Sequence, residues 1–77
     1  MEELLRYLAR SLVDHPEAVQ IEAFEEDDDT LVLELTVDDR DTGQVIGRGG
    51  RTINALRAVI RASAVQAERR VLVDVLD

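Results

Sequence analysis

Val45-Ile46-Gly47-Arg48-Gly49-Gly50-Arg51-Thr52-Ile53-Asn54-Ala55-Leu56 is the stretch on which the fold turns. All four glycines of the chain, Gly43, Gly47, Gly49 and Gly50, fall within eight residues, and three of them stand between two helical patterns. Glycine reaches positive φ and, lacking a Cβ, lets another molecule come close to the backbone. Downstream, Ile53, Leu56, Ile60 and Ala64 recur on one stripe and predict a helix over 51–67. Upstream, residues 39–46 predict a short helix capped by Asp39 or Asp41. The second helix therefore aims its unpaired N–H groups and positive dipole end into the glycine loop, where Arg48 and Arg51 add two cations. A glycine loop, a helix start and flanking arginines predict a clamp for a phosphate backbone. A plain helix-to-helix turn would account for the glycines but not for this convergence of positive charge.

Working outward, residues 2–14 place Leu5, Leu8 and Leu12, with Leu4 and Ala9 beside them, at helical spacing, and Glu2 and Glu3 sit where the dipole favours anions. This helix is expected to stop near His15, because the residue before Pro16 is driven out of the helical region. His15 itself is expected to be a cation at a helix C-terminus or a solvated side chain. Residues 18–25 alternate Val19, Ile21 and Ala23 with Gln20, Glu22 and Phe24, and residues 30–37 alternate Leu31, Leu33, Leu35 and Val37 with Val32, Glu34 and Thr36. Both read as half-buried strands. The five consecutive acids from Glu25 to Asp29 make the connecting hairpin. Adjacent carboxylates without a turn glycine are poorly spaced for a hard cation, so this run reads as a solvated loop. Arg70 to Leu76 alternates Val71, Val73 and Val75 with Leu72, Asp74 and Leu76, a third strand. The order α-β-β-α-α-β predicts a two-layer α+β fold, a three-stranded sheet with the helices on one face. At this length, residues 1–77 are expected to form one domain.

Composition removes several function classes. Without cysteine there is no disulfide, thiolate metal site or thiol nucleophile, and a lone histidine cannot build a histidine-rich metal centre. No metal or cofactor is expected. No apolar run approaches the ~20 residues that cross a bilayer, and the chain opens Met1-Glu2-Glu3 without a positive start, so a cytoplasmic location without membrane contact is expected. The net charge of −8 opposes nucleic-acid binding until its distribution is considered. Residues 1–41 carry a net −11, whereas residues 42–70 carry six arginines against Glu68, a net +5. Every basic residue is arginine, whose planar fork suits phosphate and base edges. The basic segment contains no convergent nucleophile, base or acid pair, which argues against an enzyme.

Nucleotide-binding loops fail on spacing. A Gly-x-Gly-x-x-Gly would need glycine at Thr52 or Ala55, and a Walker A loop would need glycine at Val45 and lysine at Arg51. Ile46-Gly47-Arg48-Gly49-Gly50-Arg51-Thr52-Ile53 instead resembles the I-G-x-x-G-x-x-I signature of the KH RNA-binding domain, and the element order is that of the prokaryotic type II version. Over nearly its whole length the chain is most similar to the small stand-alone bacterial KH proteins of the KhpA (YlqC) family. The resemblance implies non-catalytic binding of single-stranded RNA, about four nucleotides at a time, with the loop clamping the backbone and the bases in an adjacent apolar groove. Carried onto this chain, Gly47, Arg48, Gly49 and Gly50 form the clamp, Ile46 and Ile53 brace it and border the groove, and Arg51 reaches phosphate or base. Family members often carry a basic residue where this chain has Gly49. Arg57 and Arg61, four apart, share a helix face with Asn54 alongside and extend the basic track.

The helix over 51–67 has a second apolar flank. Ala55, Val59 and Ala62 fall well away from the Ile53–Ile60 stripe, and their small size permits close contact with another helix. Association through this flank is expected, and the family resemblance likewise implies homodimers, pairing with a larger KhpB-like KH protein, and a role as an RNA chaperone or regulator. The rival reading is a protein–protein adaptor or ribosome-associated factor acting through Arg51–Ala67.

Overall fold

The computed structural model describes residues 1–27 and 29–76. Helix α1 spans Glu2–Leu12, strand β1 Gln20–Asp27, strand β2 Thr30–Thr36, helix α2 Thr42–Ile46, helix α3 Arg51–Gln66 and strand β3 Arg70–Leu76. Single 3-10 turns at Pro16–Ala18, Asp39–Asp41 and Arg48–Gly50 join them. The strands form one mixed sheet in the order β1-β2-β3, with β1 antiparallel and β3 parallel to the central β2. All three helices lie on one side of it, and the expected two-layer α+β architecture is the observed one.

The core sits between the layers. Leu33 and Leu35 of β2 and Val71 and Val73 of β3 face Leu5 and Ala9 of α1, Val45 of α2 and Ile53, Leu56, Ile60 and Ala64 of α3. In β2, β3 and α3 these are the inward sets expected from alternation and helical spacing, whereas in α1 Leu5 and Ala9 are the buried residues, Leu8 is half-buried and Leu12, expected on the same stripe, is exposed. β1 departs from its expected half-burial, because Val19 just ahead of it is buried and Ile21 is half-buried, but Ala23 is exposed. The helices do not reach over the outer half of this strand.

Helix α1 ends at Leu12, two residues before the expected 14 and ahead of Pro16. Val13 adopts extended backbone (φ −105°, ψ 160°), and its side chain packs against the core. Glu26 and Asp27, expected in the hairpin loop alone, belong to β1, and the pairing shifts between Glu25 and Asp27. The turn itself is organised by Asp27, whose Oδ1 accepts from the N–H groups of Asp29 and Thr30, both at 2.9 Å. The Asp29 N–H first, then the Thr30 side chain and the Thr30 N–H, hold the Asp27 carboxyl below its ordinary pKa. Asp28 of the acidic run lies outside the described residues. Among the described residues no group of three or more His, Asp or Glu is placed to hold a metal ion, and no helix is long and apolar enough to cross a membrane.

The entry to α2 also differs from expectation. Asp41 holds the N-cap position of α2, as one of the two expected candidates, but its side chain makes no capping bond, and Asp39 lies within the preceding 3-10 turn. That turn is capped by Asp38, which accepts from the Arg40 N–H at 2.9 Å. The Arg40 guanidinium adds two more 2.9 Å bonds to the same carboxylate, and these are the largest cause of an Asp38 pKa held well below the carboxylate range. Asp41 turns inward and is only 1% exposed. Its Oδ2 accepts from the backbone N–H of His15 at 2.9 Å and lies 2.9 Å from the imidazole Nδ1. His15 is thus not a solvated side chain at the end of α1: it ties the α1–β1 connection to the start of α2.

Candidate nucleic-acid interface

The loop between α2 and α3 is shaped by three glycines with positive φ. α2 closes with the Gly47 N–H donating to Gly43 O at 2.8 Å, after which Gly47 takes φ 77°, ψ 170°, a region open essentially to glycine alone. A Cβ on Gly47 would sit 2.8 Å from both the Cβ and the backbone N of Thr52, so the first turn of α3 rests directly on this residue. Gly49 (φ 64°, ψ 18°) and Gly50 (φ 81°, ψ 11°) then turn the chain through the left-handed region into α3. A Cβ on Gly49 would meet nothing within 4 Å, so open space lies beside the backbone there.

The electrostatics of this corner are one-sided. Helix α3 begins from Gly50 with no side-chain cap, and its first turn contains no acid, although the chain has 17 Asp and Glu residues. Helix α1, by contrast, carries Glu2 and Glu3 in its first turn. The positive end of the α3 dipole is therefore left without a carboxylate to balance it. Arg48 and Arg51 are exposed on either side, and neither is part of an ion pair among the described residues. Gly49 thus stands between two exposed arginines in the chain and just ahead of a helix N-terminus, a setting that favours an anion.

Of the other residues singled out in the sequence, Asn54 and Arg57 continue this corner along α3. The Asn54 amide lies 3.8 Å from where a Gly50 Cβ would stand. Asn54 Oδ1 accepts from Arg57 Nη1 at 3.3 Å, and Arg57 Nε donates to the carbonyl of Val73 at 3.1 Å. A polar track thus runs from the loop to β3, with Arg57 half-buried and anchored instead of freely solvated. Arg61 is exposed and lines a shallow depression with Arg69 and Arg70 at the far end of α3. Ile53 is 6% exposed and offers no surface to a ligand, so it braces the loop from beneath, while Ile46 is half-buried against the core.

The opposite flank of α3 is apolar. Ala55 and Val59 line a groove of about 260 Å³ with Leu56 and Thr52 of α3 and Leu8, Ser11 and Leu12 of α1. Val59 is 45% and Leu12 39% exposed within it. Ala62, expected on the same surface, is exposed but lies outside the groove lining. Sequence reasoning missed the contributions of Thr52, Leu8 and Leu12. It also missed the Val73 carbonyl, because a backbone acceptor leaves no mark in residue type.

Comparison with known proteins matches this geometry to a family. The model of the KhpA/KhpB KH domain matches residues 2–75. The chain is 43% identical over 77 residues to the RNA-binding protein KhpA of Halalkalibacterium halodurans, covering all of both chains. It is 42% identical over 76 residues to that of Clostridium acetobutylicum, covering 99% of this chain and 100% of the relative. With the KhpA of Bacillus subtilis it shares 38% over 77 residues, covering 100% and 94%. Among solved structures, a crystal structure of an Aquifex aeolicus Era variant superposes with a TM-score of 0.64 at 18% identity, over 96% of this chain and 28% of that one, which is a likeness of fold alone. With its glycine loop, its element order and its full-length relatives in agreement, the chain belongs to the KhpA/KhpB family of KH domains.

Proposed function

We propose that this chain is a non-catalytic binder of single-stranded RNA in the cytoplasm, with residues 1–77 acting as one KH domain. One observation carries the reading: the uncapped, acid-free start of α3 opens between exposed Arg48 and Arg51, beside unobstructed backbone at Gly49. Phosphate groups bind at Gly47, Arg48, Gly49, Gly50 and Arg51, and the strand continues over Asn54 and Arg57 toward β3. The relatives' name, RNA-binding protein KhpA, supports the same ligand.

The test is Arg48→Asp/Gly49→Asp. Both positions are exposed, Gly49 has open space, and aspartate is among the residues that tolerate left-handed backbone, so the fold should survive. Affinity for a single-stranded RNA oligomer, measured by fluorescence anisotropy, is expected to fall at least about tenfold, since two positive or neutral sites become anionic. For the unaltered protein, log Kd against log salt should have a slope near 2 in magnitude if about three phosphates are neutralised. Equal binding by the variant would overturn the clamp.

The groove favours a second reading that is compatible with the first. An apolar cleft between α1 and α3, with Val59 and Leu12 protruding into it, supports association with a second copy or with a larger KhpB-like partner. Such a dimer would present two RNA loops and act as an RNA chaperone or regulator. Val59→Asp is expected to leave the circular dichroism spectrum unchanged and to give a monomer by light scattering. An unchanged oligomer would remove this surface from consideration.

A further inference from the structure

The sheet face turned away from the helices carries two rows of side chains in direct register across all three strands. Phe24, Val32 and Leu72 make one row, and Glu22, Glu34 and Asp74 make the next. Val32 is 5% exposed yet stands apart from the helix-side core, flanked in register by Phe24 and Leu72, which are 45% and 40% exposed. Leu76, two residues beyond Asp74, is 41% exposed. Rows on one face are about 7 Å apart along the strands.

The acidic row is unusual because like charges directly opposite one another destabilise a sheet. None of its three carboxylates pairs with a described cation. The nearest arginine on this face by register is Arg70, opposite Thr30 and on the far side of the apolar row, where it shares a depression with Arg61, Arg69 and Leu72. Asp74 lies four positions further along β3, about 13 Å of strand, which exceeds the ~8 Å screening length at physiological salt. An uncompensated anionic strip therefore borders an apolar row whose two outer members, Phe24 and Leu72, are exposed.

We propose that this face is a docking surface for a lysine- or arginine-rich amphipathic segment of another protein. Its apolar side chains lie on the Phe24–Val32–Leu72 row and its cations on the Glu22–Glu34–Asp74 row. Charge complementarity selects this occupant. RNA is repelled by the carboxylates, and a second copy docked face to face would oppose two acidic rows. The surface lies across the sheet from the helices and so from the glycine loop, which leaves both open to ligands at once. RNA on one side and a basic partner on the other give the acidic body of the chain a use.

The test is a titration of the nitrogen-15-labelled full chain with a short alternating Leu–Lys peptide, beside a Ser–Lys peptide of equal charge. Amide shifts are expected at residues 22–24, 32–34 and 72–74 and not at 47–51. The Ser–Lys peptide should bind about tenfold more weakly, as the loss of apolar burial requires. Glu34→Gln should weaken Leu–Lys binding while raising Tm by relieving the like-charge row, which separates lost docking from lost folding. Leu72→Ser should weaken binding as well. Equal binding of the two peptides overturns the proposal, as do shifts confined to the acidic hairpin. Shifts of this face on adding single-stranded RNA, or a change of oligomeric state in Leu72→Ser, would assign it to another occupant and also overturn it. RNA binding is read separately at residues 47–51, so failure here is distinguishable from failure of the loop assignment.

Discussion

Gly47→Ala is expected to cost about 3 kcal/mol or more, the sum of entering a glycine-only backbone region at roughly 1–3 kcal/mol and of a steric clash. The clash is with backbone as well as side chain. At φ 77°, ψ 170° the new Cβ would lie 2.8 Å from Thr52 N and Cβ. Thr52 cannot withdraw, because the next residue, Ile53, is fixed in the core. A domain of this size has only about 4–12 kcal/mol of stability in all, so Tm should fall by about 12 °C or more. Gly49→Ala is the control. It shares the left-handed backbone (φ 64°) but meets nothing within 4 Å, so its cost should be about 1–2 kcal/mol. Urea denaturation followed by circular dichroism measures both, and equal losses would show that the seat of Thr52 on Gly47 contributes nothing.

Asp41→Ala is expected to lower stability by about 2–4 kcal/mol. Its carboxylate is 1% exposed, and one oxygen serves both the backbone N–H and the imidazole Nδ1 of His15 at 2.9 Å. Alanine would leave that N–H without an acceptor in a part-buried setting, at about 1–3 kcal/mol, and would leave a gap where the carboxylate had been. His15→Ala should cost less, roughly 1 kcal/mol, because it removes the imidazole and keeps the backbone N–H paired to Asp41. The two losses should fail to add in a double-mutant cycle, since they share one oxygen. A loss no larger than that of exposed Asp39→Ala would show that this contact is not structural.

Much of the layout was legible because one local rule decided it. Alternation in 30–37 and 70–76 located β2 and β3, whose inward residues Leu33, Leu35, Val71 and Val73 are the buried ones. The Ile53–Ala64 stripe located α3 to within one residue of its observed end at Gln66. The glycine cluster located the loop. What escaped were relations between distant residues. His15 and Asp41 are 26 positions apart, so no window of sequence contains their bond. The cluster marked three glycines alike, whereas only Gly47 is pressed against Thr52, a matter of how two helices meet. The helical wheel put Ala62 with Ala55 and Val59, but a wheel does not say how far along that flank α1 extends. In the same way Ala23 alternated as an inward residue and is exposed, because coverage of β1 depends on where the helices stop.

The mixed sheet has a consequence for how the molecule assembles. β1 and β2 are joined by a tight hairpin and can zip together in about 1–10 μs. β3 instead pairs with β2 in parallel, Thr30 against Arg70 through Thr36 against Leu76, across some 40 intervening positions. During synthesis at about 5–20 residues per second, the middle strand therefore waits seconds for its second neighbour. For that interval its open edge and the apolar side chains of Leu33 and Leu35 are a place where nascent chains on neighbouring ribosomes could pair wrongly.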